Sequence, residues 1–278
     1  MGTYANYVPW HQVTRGEPSS RGRSHLISWG GRHRELLSDG ELVAACFAVL
    51  VPHLRDLREQ FPLALDTATH ELAAYDVRFA ARHAPGTREL ADALKIRHPL
   101  VRGEGVSAPW VMSTDFLLTL TSSGGHPTLL AVAYKTGDDL RSRRTLQKLR
   151  LEREYWLVRG VPWLLVTPHL FDASAGLTLR MTTSWLLTEP ASIESRRIAT
   201  EVALHHVGRP LQTVLAEIGL VLGDLLDAQC ALWQAMWASE LPIDLRRGWR
   251  PHEPLELLTH DDFVALNPIA SRRSAWTS

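Results

Sequence analysis

The chain has 278 residues, a formal net charge of zero and 45% apolar residues. Such a length holds one large or two modest domains with a substantial core. Neutrality excludes the strongly basic composition of a stand-alone DNA binder. Cys46 and Cys230 stand far apart in apolar runs, which argues against a disulfide scaffold and for reduced core residues. No stretch reads as a secretory leader, and no apolar run approaches the roughly 18–20 residues of a membrane span. A cytoplasmic protein without membrane contact is expected.

Residues 1–34 are rich in Gly, Ser, Pro and Arg and read as an extended basic arm, with five Arg against one Glu. A helix is expected from Ser38, where Ser38 and Glu41 have the spacing of a capping box. Leu42 to Val51 is apolar all round, so this helix is expected to be buried, and Pro52 ends it. Residues 55–63 read as a turn into a short strand. Residues 68–97 read as helical with a break at Pro85-Gly86. Trp110 to Thr121 and Thr128 to Tyr134 are rich in strand formers and flank Ser122-Ser123-Gly124-Gly125, so an antiparallel hairpin is expected. A long helix is expected over 138–159, stopped by Gly160-Val161-Pro162, followed by a buried strand from Trp163 to Thr167.

Beyond Pro168 the texture changes. Residues 169–175 read as a linker and 176–188 as a strand or interdomain segment. Helices are expected at 191–205, 210–223 and 225–238, then a strand from Leu241 to Leu245. This order gives an α/β class with a mixed sheet flanked by helices, and a small, mostly helical, winged-helix-like C-terminal domain. The expected division is 1–34, 35–168 and 169–278.

Charge is uneven along the chain. Residues 141–159 hold seven Lys/Arg against two Glu, which suits either a solvated helix face or a phosphate groove. Three polar residues stand in places awkward for a purely structural role. Asp115 interrupts an apolar strand, Lys135 closes the next one, and Glu41 lies on the buried helix before them. Two carboxylates and a lysine are what metal-assisted phosphodiester hydrolysis uses. Mg²⁺ takes oxygen ligands, stabilises charge on the phosphate and acidifies bound water, while a lysine orients water or holds the phosphate. The pattern is Asp, then (Asp/Glu)-x-Lys on the neighbouring strand, here Asp115 and Ala133-Tyr134-Lys135. This copy is degenerate, because Ala133 offers a metal only its backbone carbonyl or a bridging water. Each residue has a plainer reading as well. Glu41 can be a helix cap, Asp115 an ion-pair partner of an Arg, and Lys135 an exposed strand end. No phosphate loop, dinucleotide fingerprint or zinc spacing occurs.

Whole stretches add to this. Tyr7-Val8-Pro9-Trp10 with Ser20 to His25, Leu37-Ser38-Asp39-Gly40-Glu41, Asp56 to Leu63, Ile96 to Pro99, Met112 to Leu117, and Lys135 with Asp139-Leu140, Lys148-Leu149, Glu152 and Tyr155-Trp156 follow one another in order. Together they resemble the TnsA endonuclease family over roughly residues 5–168, and more loosely beyond. The resemblance implies a restriction-endonuclease-like fold of the PD-(D/E)XK superfamily. It also implies a Mg²⁺ site, with Mn²⁺ able to substitute, and catalytic roles for Glu41, Asp115 and Lys135. The implied activity is cleavage of the 5′ strand at double-stranded transposon ends. The implied partners are a TnsB-type DDE transposase and a TnsC-type AAA+ regulator. Arg141, Arg143, Arg144 and Lys148, with Arg21 and Arg23 of the arm, are the expected phosphate contacts. A catalytically weak assembly factor, motivated by Ala133, and a free-standing nuclease that cuts without partners are the alternatives.

Overall fold

The fold is seen in a computed structural model that describes residues 2–14, 23–103 and 105–276. The chain divides into two compact units. One comprises Met1–Glu41, Pro52–Thr167 and Ser274–Ser278; the other comprises Leu42–Val51 and Pro168–Arg273.

In the first unit, the expected arm gives way to a hairpin. Gly30 and Gly31 both have positive φ, 63° and 78°, which a tight two-residue turn requires. They join β1 (His25–Trp29) to β2 (Arg32–Leu36) in antiparallel register. Strand alternation puts Arg32 and Arg34 on one side of β2. There they meet Glu59 of β3 (Leu54–Pro62), a strand of nine residues where a short one is expected. Arg32 donates to both Glu59 oxygens at 2.5 Å, and Arg34 Nη1 to Oε2 at 3.3 Å. Glu59 is 1% exposed. Its removal strands two buried guanidinium groups, so Glu59→Ala is expected to cost about 3–5 kcal/mol. A urea titration checks this; an unchanged midpoint shows that the hairpin docks without the ion pairs.

Between 68 and 97 the helical expectation holds for one stretch only, α2 (Thr87–Ala93). The rest is a two-residue pairing of β4 (Ala68–Thr69) with β5 (His83–Ala84) and two short 3₁₀ turns. Side chains compete with the helix here: His70 accepts the Leu72 N–H and Asp76 the Arg78 N–H. Such local bonds favour turns over a continued helix. An unexpected second hairpin follows, β6 (Leu100–Gly103) with β7 (Val106–Pro109). The predicted strand from Trp110 begins later, as β8 (Ser113–Thr121), and pairs with β9 (Pro127–Tyr134).

The central sheet has the order β10-β9-β8-β3, with β10 (Trp163–Val166) parallel to β9 and the other pairs antiparallel. It is the expected mixed sheet. The helix expected over 138–159 is a 3₁₀ turn at Asp139–Arg141 followed by α3 (Arg143–Leu157), capped where Ser142 Oγ accepts the Thr145 N–H. The buried side of α3, with Leu149, Tyr155 and Trp156, joins Leu117, Ala131 and Leu165 of the sheet in one apolar core. The outer edge of β10 is covered by residues 274–276: Leu165 O accepts the Ala275 N–H at 2.8 Å, and Trp276 packs edge-on to Trp163. Capping an edge strand this way blocks pairing with another chain.

The helix α1 (Asp39–Val49) begins in the first unit, and its apolar remainder belongs to the second. There the Phe47 ring lies 5.1 Å from that of Phe171, tilted by 54°, and Asn267 Nδ2 donates to the Phe47 carbonyl at 2.7 Å. Residues expected to be a strand or linker form α4 (Ala173–Leu187). Its Thr178, Thr182 and Thr183 hydroxyls bond carbonyls one turn back, so a threonine-rich stretch with strand propensity is satisfied inside a helix. The helices α5 (Ile193–His205), α6 (Leu211–Leu222) and α7 (Leu225–Trp237) stand where expected, and α8 (His260–Leu266) follows. The strand expected from Leu241 to Leu245 is absent. Pro242 lacks a donor, and Asp244 turns back to accept the Arg246 N–H, leaving isolated bridges at Ile243–Leu257 and Pro210–Pro254. Among the described residues no helix is long and apolar enough to cross a membrane.

Candidate active site

The ladder between β8 and β9 runs to Phe116–Val132. One step further, opposite Ala133, the Asp115 carboxylate takes over. Its Oδ2 accepts the Tyr134 N–H at 2.7 Å and the Lys135 ammonium at 2.8 Å. Lys135 also donates to the Tyr134 carbonyl at 2.7 Å. Two of its three N–H donors are thereby fixed, and one remains for a phosphate oxygen or water. Burial works against the Lys135 charge, but Asp115, Glu152 and Glu41 outweigh it and raise its pKa. The lysine stays an ammonium at neutral pH.

Glu41 reaches this place from the first turn of α1. Its backbone N–H is capped by Ser38 Oγ at 3.0 Å, while its Oε2 accepts the Leu37 N–H at 2.8 Å and Gln60 Nε2 at 3.1 Å. The capping reading and the site reading are thus both realised in one side chain. Burial and then the charge of Asp115 push Glu41 up to about 7, against the pull of Leu37, Lys135 and Gln60. Gly40 sets the helix against β9, because a Cβ there would fall on the Tyr134 ring. Alanine should favour an exposed helix by about 1 kcal/mol. Here Gly40→Ala is instead expected to shift Glu41 and to cut strand cleavage at least about tenfold, an effect of the misplacement kind. Full activity in this variant rules out close Tyr134–helix packing as a requirement.

Two residues escaped the reading of site chemistry from sequence. Gln60 holds both Glu41 and, through its Oε1, the Ser113 hydroxyl at 3.3 Å. Its backbone has φ of 48° in the middle of a strand, a strained conformation for a non-glycine residue. Glu152 lies on α3, buried to 4% exposure. Its Oε1 accepts Thr114 Oγ1 at 3.0 Å and Trp163 Nε1 at 3.1 Å. Burial and then Asp115 push it up to about 7, opposed by Lys135, Trp163 and Thr114. Neither position had a local signal beyond its place in a resembling stretch.

Ala133 is fully buried in the apolar core. Lys148 lies with Nζ 5.1 Å over the Trp110 ring, and burial, then Lys135 and Arg144, lower its pKa. Arg144 bonds Gln147, Arg143 is exposed, and Arg141 pairs with Asp138 in solvent. Arg23 is exposed and stands 3.8 Å from Asp39. Arg21 lies outside the described residues.

The donor set fits a hard divalent cation. It offers two carboxylates, Glu41 and Asp115, and a backbone carbonyl beside them, and the mutual repulsion that raises Glu41 is what a bound dication relieves. No cluster of three or more His, Cys, Asp or Glu side chains able to hold a metal occurs among the described residues. Mg²⁺ commonly uses one or two carboxylates and keeps its waters.

Residues 52–168 match the family model described as TnsA-like endonuclease N terminal. Asp115 and Lys135 fall inside that match and Glu41 before it. The chain is also 32% identical over 221 residues to the Transposon Tn7 transposition protein TnsA of Escherichia coli, covering 79% of this chain and 67% of that protein. These similarities, over a mixed sheet with an acid–lysine pair at its hairpin end, show that the chain belongs to the TnsA-like endonuclease family.

Proposed function

We propose that this chain is a transposon-end DNA endonuclease that hydrolyses the 5′, non-transferred strand with a divalent metal, beside a DDE transposase. The observation that carries this is the Asp115–Lys135 pair, held against Tyr134 at the end of the β8–β9 hairpin and approached by Glu41. Asp115 and Glu41 are the side chains to hold Mg²⁺ or Mn²⁺, with the carbonyl of residue 133 or 134, or a water, completing the set. Such an ion supplies charge stabilisation at the phosphate and acidifies water. Lys135 binds a phosphate oxygen or orients the attacking water through its third N–H. Gln60 positions Glu41. Arg143, Arg144 and Lys148 hold the phosphate backbone without reading sequence, with Arg141, Arg23 and Arg21 as outlying contacts.

Neutral overall charge suits a nuclease that depends on partners for end recognition. A TnsB-type transposase fills that role in this reading, and the helical second unit is the surface for it and for a TnsC-type regulator. A winged-helix-like shape for that unit needs a paired wing, at the place where isolated bridges stand.

The test is a supercoiled donor plasmid incubated with the partner transposase and Mg²⁺, with nicks mapped by strand. Wild type should nick the 5′ strand at the ends, and Asp115→Ala and Lys135→Ala should not. Equal nicking by either variant removes the site assignment. The buried Ala133 favours one second reading, a transpososome assembly factor with weak or no catalysis. Calorimetric titration with Mn²⁺ separates the two: the nuclease gives binding heat that Asp115→Asn abolishes, and the assembly factor gives none.

A further inference from the structure

The hairpin β6–β7 takes no part in the core. Of its described residues, Leu100 to Gly103 and Gly105 to Ala108 are all exposed. A Cβ added at Gly103 or Gly105 meets nothing within 4 Å, so the space around the tip is open. Its pairing, Val101 with Ala108 and Arg102 with Ser107, sorts the side chains. Residues paired across an antiparallel ribbon share a face. One face therefore carries Val101, Ala108 and Val106, and the other carries Arg102 and Ser107, with Leu100 and Pro109 at its root. Soluble proteins seldom leave a two-stranded ribbon bare on both faces, because it gains nothing from burial.

The root of the ribbon is linked to the candidate site through Lys148, which lies over the Trp110 ring and feels the charge of Lys135. Trp110 N–H bonds the Pro99 carbonyl at 2.9 Å and closes the hairpin. The Trp110 ring lies under the Lys148 ammonium, and Arg144 is close enough to His98, next to that root, for the charges to interact. Arg97 and Arg102 extend this positive rim outward, and neither makes an ion pair among the described residues. Arg97, Arg102 and Ser107 line a shallow hollow along the ribbon. From Ser107 to Asp115 is eight residues, at most about 28 Å of extended chain.

We propose that the β6–β7 ribbon enters a groove of the DNA duplex next to the scissile phosphate, with Arg102 and Ser107 toward phosphate or base edges and Val101 and Val106 against the sugar wall. The dimensions agree. Strands about 4.8 Å apart fit a major groove about 12 Å wide, and four residues reach about 13 Å, past its depth of about 8.5 Å. The charge favours DNA over a protein partner: Arg97 and Arg102 line one hollow, Arg144 lies within reach of the neighbouring His98, and Glu104 is the one acid in the ribbon sequence. This inference rests on the endonuclease reading above and adds to it the element that orients the duplex.

The full-length protein is titrated with a random-sequence duplex across a salt series, read by fluorescence anisotropy, with circular dichroism as a fold check. Arg102→Ala should bind roughly tenfold more weakly and reduce the salt slope by about one. A Val101→Ser/Val106→Ser double variant should weaken binding with the slope unchanged. On donor DNA with the partner transposase, an iron–EDTA label on Ser107→Cys, in a Cys230→Ser background, should cut within about eight base pairs of the nick. If Arg144→Ala weakens binding while Arg102→Ala and the double variant bind as wild type and the label leaves DNA intact, the ribbon proposal is overturned and the endonuclease reading stands. Loss of transposase binding by the ribbon variants, with DNA binding intact, overturns it in favour of a protein contact. If the wild-type chain takes up no duplex even at low salt, the ribbon proposal falls, and the endonuclease reading is decided by the donor-plasmid assay with the transposase.

Discussion

Asp115→Asn is expected to abolish strand cleavage, by about a thousandfold or more, with little loss of stability at pH 8. The size follows from the number of functions on one carboxylate: the metal ligand proposed above, anchor of Lys135, and acceptor for the Tyr134 N–H beyond the β8–β9 ladder. Losing a directly charge-stabilising group at such a site typically costs factors of 10²–10³ or more. Stability behaves differently. Asn keeps an acceptor of the same shape for the Tyr134 amide. The lost attraction to Lys135 is offset by relief for Glu41 and Glu152, both raised by the Asp115 charge. The measurement pairs single-turnover nicking on donor plasmid with urea unfolding at pH 8. An Asn variant that retains a tenth of the wild-type rate sinks the role given to Asp115. One that loses both cleavage and most of its stability shows that the residue is chiefly structural.

The second large effect is in pH. Glu41 and Glu152 both titrate at about 7 in the folded chain, against 4.5 in its absence. The folded state therefore holds protons between those values that the unfolded chain has released. By linkage, stability from these groups is full below about pH 4.5 and is lost as pH rises through about 7. Each group contributes on the order of 1–3 kcal/mol. Unfolding free energy should thus fall between about pH 5 and pH 8. Glu152→Gln should flatten this fall, because the amide still accepts from Thr114 and Trp163 and never ionises. Glu152→Ala, by contrast, leaves two buried donors unpaired and should destabilise at every pH. Mg²⁺ or Mn²⁺ should restore stability at pH 8 in wild type and in Glu152→Gln, but not in Glu41→Gln. A pH slope identical in wild type and Glu152→Gln contradicts a proton held on that carboxylate.

Local pattern was enough for much of the scaffold. Ser38 three residues before Glu41 announced α1, and the Ser-Ser-Gly-Gly turn announced the β8–β9 hairpin. The three helices α5 to α7 stand close to the ranges expected for them. Where the reading failed, side-chain bonds had overridden propensity. His70 and Asp76 broke the helix expected between 68 and 97, and the back-bonded threonines of α4 made a helix of a presumed strand. The Gly30-Gly31 turn was legible in principle, but the surrounding glycines and arginines concealed it as arm.

Of the candidate catalytic set, the sequence by itself determined which residue types were available: an acid inside an apolar strand, a lysine at the end of the next, and a glutamate on a buried helix. Strand alternation and the short hairpin connection suffice to bring Asp115 beside Lys135, since both are consequences of local geometry. The tertiary structure alone decided the rest. Glu41 could be a cap or a site residue, and only the packing of Gly40 on Tyr134 makes it both. Gln60 and Glu152 enter because distant segments, β3 and α3, pack on the same hairpin end. Contacts between such segments depend on how the helices and strands are laid over one another. No period or motif along the chain encodes that distance.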